Sequence, residues 1–287
     1  MNVTLPDKNK MSKRNLILYL IAGIVCVIAI IIAVSNLVLG SDVSNQIFGA
    51  NRLRNITLEE EIELRNNFGN LFQNRLTVNQ EEGDISFEKV EKDKGLVFTK
   101  FELSAFVENN YDIKVAIPFI NINSETIAKY NEEIKGIFRN KVDVALTDTG
   151  EHIVYTVDYQ ASVENSILSV VIRSSIKTDN SPQRVMVITY NYDLRRGKPI
   201  DLPAVLSKYG LDSRQVESKI RTEIEQEQRK TEDLKELGYN VFVRNASDEK
   251  YLVSNIRNFF IYNGNLYIIF AYGNSEDTSE MDLIILW

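Results

Sequence analysis

The residue types that most enzymes use as nucleophile or general base are scarce in this sequence. It contains one histidine, His152, and one cysteine, Cys26. His152 lies at the start of a predicted strand, on the polar face, and no serine stands in a nucleophile-elbow context, so a Ser-His-Asp arrangement is poorly supported. One histidine without an accompanying cysteine does not supply a usual zinc site. We therefore expect no nucleophilic catalysis, no bound metal and no cofactor.

The acidic residues could support a different chemistry, carboxylate-based hydrolysis or calcium binding. The chain has 40 acidic residues, and a pair of them flanking a sugar bond would suit glycoside hydrolysis. Residues 274–280 also offer oxygen ligands for calcium, but they lack the alternating acidic spacing and the glycine of a calcium loop. A hydrated connecting loop is the ordinary interpretation of that segment. The sequence selects no particular carboxylate pair.

Tyrosine recurs along the predicted strands and suits recognition better than catalysis. A tyrosine combines flat apolar area with a hydrogen-bonding tip, which fits the surface of a glycan or a protein. The alternative is that most of these tyrosines pack a sheet against its helices. The residues that we select as a candidate binding surface are Tyr190, Tyr192, Tyr267 and Tyr272.

An apolar segment near the start of the sequence indicates where the protein is located. Residues 16–39 contain no charged side chain, and a helix of about 20 apolar residues spans a bilayer. Basic residues precede the segment and Asp42 is the first charge after it, which predicts a cytoplasmic tail, residues 1–15, and an exported remainder. A cleaved signal peptide is the alternative, although secretory apolar regions usually have about 7–15 residues. We expect a single-pass membrane protein with its C-terminal domain outside the cell.

Charge and cysteine usage describe the exported part. The chain carries −7 and residues 1–40 contribute +3, so the remainder carries −10. An acidic domain disfavours nucleic acid as a partner and favours, weakly, a cationic one. Cys26 lies within the predicted span, so the exported part forms no disulfide. Such a domain suits the surface of a Gram-positive-type bacterium better than a eukaryotic secretory route.

Hydrophobic periodicity predicts an α+β domain over residues 57–287, after a linker, residues 40–56, with an alternative boundary near residue 150. Thr57 and Glu60 form a capping-box pattern that opens a helix running to about Leu76. Pro118 predicts an edge or a bulge in its strand. The other predicted helices begin at Ser124, at Asp201 or Pro203, and at Ser213. The predicted strands, all in antiparallel hairpins and meanders, cover residues 97–107, 111–119, 152–163, 167–177, 184–194, 239–244, 258–262, 265–272 and 281–286.

Two stretches carry a resemblance to a known family. Residues 165–169, Asn-Ser-Ile-Leu-Ser, are followed by residues 190–202, Tyr-Asn-Tyr-Asp-Leu-Arg-Arg-Gly-Lys-Pro-Ile-Asp-Leu. This pattern resembles the extracytoplasmic module of RsiV-type anti-sigma regulators, which also precedes the catalytic domain of PdaC-type peptidoglycan deacetylases. The strand and helix of residues 111–145 and the strand pair of residues 259–272 are similar to other parts of that module. The resemblance covers residues 98–286.

The resemblance implies a fold and an envelope location, with a wall glycan or a wall-active protein as ligand. Two departures limit it. The family commonly has a Gly-Gly-Ala-His-like turn between its central strands, whereas this chain has Asp-Asn-Ser-Pro-Gln at residues 179–183. Only about 15 residues precede the apolar segment, too few for a sigma-binding domain, and a deacetylase domain is absent.

Three functions remain as hypotheses. The first is a non-enzymatic, membrane-anchored binding or sensing module of the bacterial envelope, whose ligand is a wall component or an envelope protein. The second is a carboxylate-based hydrolase that acts on the wall. The third is a structural subunit of a membrane complex. Close, buried carboxylates in a cleft would favour the hydrolase.

Overall fold

Residues 53–54, 56–78, 87–147, 150–272 and 280–286 are the part of the chain that the computed structural model describes, and all lie within one compact unit, residues 51–287. The predicted span, residues 16–39, the tail, residues 1–15, and all but residues 53–54 and 56 of the linker, 40–56, lie outside the described residues. Among the helices that are described, none is both long and apolar enough to cross a membrane.

The described residues include four α-helices and ten β-strands. The helices are α1 Leu58–Asn66, α2 Glu125–Thr147, α3 Leu202–Lys208 and α4 Ser213–Glu236. The strands are β1 Arg75–Val78, β2 Val97–Val107, β3 Tyr111–Ile120, β4 Ile153–Glu164, β5 Ile167–Thr178, β6 Arg184–Asp193, β7 Lys198–Pro199, β8 Phe259–Tyr262, β9 Asn265–Tyr272 and β10 Glu280–Leu286.

The larger sheet is mixed, which corrects the prediction of antiparallel sheets. Its order is β2-β3-β4-β5-β6-β7, and β1 pairs with β4 beside this path. The β3–β4 and β1–β4 pairs are parallel, and the other pairs are antiparallel. Helix α2 connects β3 to β4, and such a crossover returns the chain in the direction in which it left. The larger sheet therefore contains strands from both sides of residue 150, the alternative domain boundary.

Short turns set the hairpins as the sequence predicts. Asn263 and Gly264 both have positive φ, 50° and 72°, as a type I′ turn between β8 and β9 requires. Asn109 has φ 60° in the turn between β2 and β3. Pro118 pairs with Thr99, and the register shifts immediately beyond, between Thr99 and Phe101. A proline donates no hydrogen bond to the ladder, so the predicted irregularity is confirmed.

Helix α1 is shorter than predicted. The Thr57–Glu60 capping box forms, but the helix ends at Asn66 instead of continuing to Leu76. A 3₁₀ turn, Phe68–Leu71, follows and buries Phe68, and Asn74 with φ 54° directs the chain into β1. Glycine and asparagine in this stretch favour turns over helix. A 3₁₀ turn that buries the Phe68 ring between the sheets thus takes the place of the second half of the predicted helix.

Residues 239–244, predicted as a strand, are not one. The segment pairs with neither sheet. Its last side chain, Arg244, is instead buried and bound to Asp282 and Glu280 at the start of β10. The buried ion pairs fix the segment without a backbone ladder.

The elements form four layers, with a hydrophobic cluster between each pair of neighbouring layers. Helix α2 covers one face of the larger sheet. Helical spacing in the sequence predicts its apolar stripe, in which Ile137 is half-buried and the other members are buried: Ile127, Ile134, Phe138, Val142 and Ala145. The other face packs on the β8–β9–β10 sheet. Helices α3 and α4 cover the outer face of that smaller sheet. Both faces of the larger sheet's central strands are therefore buried.

Polar side chains of the larger sheet bind the backbone of β8, an edge strand. Asn191 Nδ2 donates to the carbonyl of Phe259 over 2.9 Å, and the Ile261 N–H donates to Ser169 Oγ over 3.2 Å. Ser162 Oγ donates to the carbonyl of Ile261. These hydrogen bonds satisfy backbone N–H and C=O groups of β8 that would otherwise need water or a further strand.

Candidate functional site

The four tyrosines selected from the sequence lie mainly in the interior. Tyr267 is fully buried between the two sheets, and Tyr272 is 7% exposed on the opposite side of β9. Tyr192 is 3% exposed, and Tyr190 is half-buried, both on the side of β6 that faces α2. The structure divides the four among three hydrophobic clusters, and they do not form one exposed surface.

The contacts of these tyrosines explain their burial. The Tyr190 ring stacks on Tyr130 with centroids 3.9 Å apart, and Tyr272 Oη donates to Asp282 Oδ2 over 2.9 Å. Burial raises the pKa of Tyr267 to about 12. The packing alternative therefore describes Tyr192, Tyr267 and Tyr272. Tyr272 also contributes to the wall of a groove.

This groove lies where α2, the β5–β6 turn region and the end of β9 meet. It encloses about 790 Å³, in the range of ligand pockets, and it exceeds the hollow of about 250 Å³ beside Arg65. Apolar side chains form most of its lining. The residues that line it are Asn140, Lys141, Val144, Ala145, Ile153, Ser174, Ile176, Arg184, Val185, Met186, Val187, Asn258, Ala271 and Tyr272.

The rim of the groove exposes apolar side chains to solvent. Val144 is 62% exposed on α2, and Met186 is 36% exposed on β6 across the groove. Exposed apolar side chains grouped around a concavity are typical of a ligand or partner site.

Two cations, Lys141 and Arg184, give the groove a positive charge. Burial lowers the pKa of Lys141, and the nearby positive charge of Arg184 lowers it further. Arg184 thus disfavours the charged form of Lys141, and an anion bound beside Lys141 would offset that effect. The groove is thus a basic, largely apolar site in a domain whose net charge is negative.

A carboxylate pair lies between α1 and α4. Arg65 binds both Glu61 and Glu223, and Lys219 Nζ lies 3.4 Å from Glu61 and 3.7 Å from Glu223. Burial raises the pKa of Glu223. Each carboxylate therefore faces two cations, an arrangement that ties the two helices together.

A second acidic pair lies at the start of β10. Arg244 is buried and donates to Asp282 through Nε and Nη2, at 3.1 and 2.8 Å, and to Glu280 through Nη1 at 2.6 Å. Tyr272 and Tyr251 extend the network, with their hydroxyls 2.8 Å apart. The guanidinium neutralises the carboxylates and holds residues 239–244 on the smaller sheet.

His152 and the proposed ligand loop add little chemistry. The backbone N–H of His152 donates to Asp179 Oδ1 over 2.8 Å, which fixes the start of β4. Across the described ranges, no group of three or more His, Cys, Asp or Glu side chains is placed to hold a metal ion. Of the loop at 274–280, only Glu280 is described, and it binds Arg244.

Sequence reasoning did not find the groove. Its two cations, Lys141 and Arg184, are 43 positions apart and look like ordinary solvated charges in their own elements. No local pattern indicates that β6 approaches α2 at Lys141. Only the tertiary packing brings them together.

Comparisons with known proteins find similarity among solved structures. No family model and no curated protein matches this chain. A crystal structure of a DUF3298 family protein from Pseudomonas aeruginosa is similar over 65% of this chain and 86% of that one, with 10% identity and a TM-score of 0.34. A DUF3298 family member from Bacteroides fragilis is similar over 60% and 81%, with 9% identity and a TM-score of 0.31. Structural neighbours of this chain are DUF3298 family proteins.

Proposed function

We propose that this chain is a non-enzymatic binding module of the bacterial cell envelope, anchored by residues 16–39 with its folded domain outside the membrane. We further propose that the groove between α2 and β6 binds a carboxylate-bearing fragment of the cell wall. The groove with its two cations is the observation that carries this proposal.

The lining matches the chemistry of such a fragment. Peptidoglycan fragments carry free carboxylates together with the methyl groups of acetyl and alanyl units. Lys141 and Arg184 would pair with the carboxylates, and Val144 and Met186 would contact the methyl groups. A cationic protein, the alternative partner drawn from net charge, would meet like charges here.

The carboxylate-based hydrolase gains no support from the two acidic pairs. A general acid or base must reach the substrate, yet Glu61, Glu223, Asp282 and Glu280 all bind arginine or lysine inside the domain. No described contact favours the structural-subunit hypothesis either. Both remain alternatives that the experiment below separates.

The test is a titration of the full chain, in a neutral detergent, with a purified disaccharide-tetrapeptide from peptidoglycan. Calorimetry is expected to give micromolar to millimolar binding. Replacing both groove cations, Lys141→Met with Arg184→Met, should weaken it at least about tenfold, since each charge-assisted hydrogen bond contributes roughly 1.5–3 kcal/mol. The matched control, Lys129→Met with Lys135→Met, removes the same charge from exposed positions of α2 and should leave the affinity unchanged.

Equal affinities for the two double variants would contradict the proposal, as would the absence of binding by the native chain. The same samples are then analysed by mass spectrometry. Cleavage of the fragment by the native chain would establish the hydrolase instead.

A further inference from the structure

One edge of β6 has no neighbouring strand over most of its length. The strand pairs with β5 throughout, whereas β7 pairs only with Tyr192 and Asp193 at its end. Within the described residues, no other strand pairs with β6. The edge that precedes Tyr192 therefore offers its backbone to a further strand.

The contact with β7 identifies the backbone groups that face this edge. The Asn191 carbonyl accepts the Ile200 N–H over 3.0 Å, so Asn191 directs its backbone groups away from β5. This direction alternates along an antiparallel strand, and the pairing of β6 with β5 has no register shift. Val185, Val187 and Thr189 therefore direct their N–H and C=O groups to the same edge. Among the described residues, these groups of Val185 and Val187 have no hydrogen-bond partner.

The groove between α2 and β6 follows this edge. Val185, Met186 and Val187 all line it, although neighbouring side chains of a strand point to opposite faces of the sheet. Both sets of side chains can line one cavity only where the two faces meet, at the edge of the strand. The groove therefore runs along the backbone of β6.

The groove combines this edge with a positive charge. Lys141 lines it from α2, and no carboxylate of the described residues forms an ion pair with it. A strand edge binds an extended peptide through main-chain hydrogen bonds, while nearby side chains select among peptides. A lysine beside the edge suits a carboxylate of such a peptide. A sugar chain has no repeating amide with which to continue a ladder.

We propose that the peptide part of the cell-wall fragment, and not its disaccharide, occupies the groove and adds a short strand to β6. Its amides pair with the N–H and C=O groups of Val185 and Val187, and a carboxylate pairs with Lys141. The two valines are about 7 Å apart along the strand, and an extended tetrapeptide covers about 13 Å. The site is the groove of the proposed function, on which this assignment rests.

The first test compares three probes by calorimetry, with the full chain in a neutral detergent. They are the disaccharide-tetrapeptide, the tetrapeptide alone with an acetylated N-terminus, and the disaccharide alone with its lactyl carboxyl amidated. The tetrapeptide is expected to bind within about threefold of the whole fragment. The amidated disaccharide is expected to bind at least about tenfold more weakly, since it forms neither the ladder nor the ion pair.

Val185→Pro tests the ladder itself. Proline removes the N–H that faces the open edge and leaves the bonds to β5 in place. Val185 is half-buried whereas Val187 is buried, so a substitution at Val185 disturbs the core less. The variant should bind the tetrapeptide at least about threefold more weakly, the effect of one lost hydrogen bond. The matched control Val185→Ala keeps the N–H and should change the affinity less than about twofold.

A second measurement uses the native chain and holds whether or not Val185→Pro folds. The amides of the tetrapeptide are N-methylated one at a time, and each methylation removes one donor. Methylation of at least one amide should weaken binding at least about threefold. Tolerance of methylation at every amide would overturn the assignment.

The outcomes separate the assignment from the proposed function. Equal affinity for the whole fragment and the amidated disaccharide would overturn the assignment. The proposed function would still hold in that case if Lys141→Met with Arg184→Met weakened binding of the whole fragment. Equal losses in Val185→Pro and Val185→Ala would also overturn the assignment. Failure of the native chain to bind the whole fragment would overturn both.

Discussion

The buried cation Arg244 and the groove cations Lys141 and Arg184 show two ways of placing positive charge in one domain. Arg244 is almost fully buried and binds two carboxylates and a backbone carbonyl. Lys141 has the opposite environment, because burial and Arg184 both lower its pKa. Arg244 is compensated by two carboxylates, whereas Lys141 lies beside another cation.

The difference separates residues that hold the fold from residues that are suited to a ligand. Removal of a compensated buried charge leaves its partners unpaired and lowers stability. Removal of a charge that is repelled by its neighbour does not lower stability by that route, but it removes the attraction for an anion. Stability and ligand affinity should therefore respond in opposite ways in the two regions.

The largest effect is expected for Arg244→Met. The substitution leaves the buried Asp282 and the half-buried Glu280 without their arginine, and breaking a buried pair typically costs about 3–5 kcal/mol. Urea unfolding of the full chain measures the loss. Adding Asp282→Asn and Glu280→Gln to the same variant should recover a large part of the stability, because no unpaired charge then remains. A loss below about 1 kcal/mol for Arg244→Met alone would show that the cluster is not compensated in the way described.

The smallest effect is expected for Lys141→Met, with stability at pH 7 equal to that of the native chain or higher, within about 0.5 kcal/mol. The folded-state pKa of Lys141 is lowered, so its protonated form costs stability below that pKa. As pH rises through the folded pKa towards the ordinary value of 10.5, the folded protein loses the proton first and this cost disappears. Any advantage of the variant should accordingly shrink as pH approaches 10.5. A variant that is less stable than the native chain by more than about 1 kcal/mol at pH 7 would contradict this.

Local sequence signals predicted the elements well and their partners less well. Asn263-Gly264 determines its hairpin through its own backbone preferences, and the stripe of α2 follows from helical spacing alone. The parallel β3–β4 pair depends on where α2 delivers the chain, which no local pattern encodes. The sequence predicts a strand over residues 239–244, but ion pairs of the buried Arg244 take the place of a ladder.

The tyrosines show why the candidate site was harder to predict than the fold. Alternation identifies two faces of a strand but does not say whether one of them meets water. On β9, Tyr267 faces the larger sheet and Tyr272 faces the helices, so both are buried. In a four-layer domain the exposed surface lies on the outer faces of the helices and at element ends and rims, and the groove residues Val144 and Met186 are exposed there.

Hydrogen–deuterium exchange of the full chain, with and without the disaccharide-tetrapeptide, tests the central claim most directly. If the groove is the ligand site, binding slows exchange in residues 140–147 and 184–187, while residues 97–107 of the distant edge strand β2 keep their rates. Protection confined to other segments, or unchanged exchange at a saturating fragment concentration, would contradict the account.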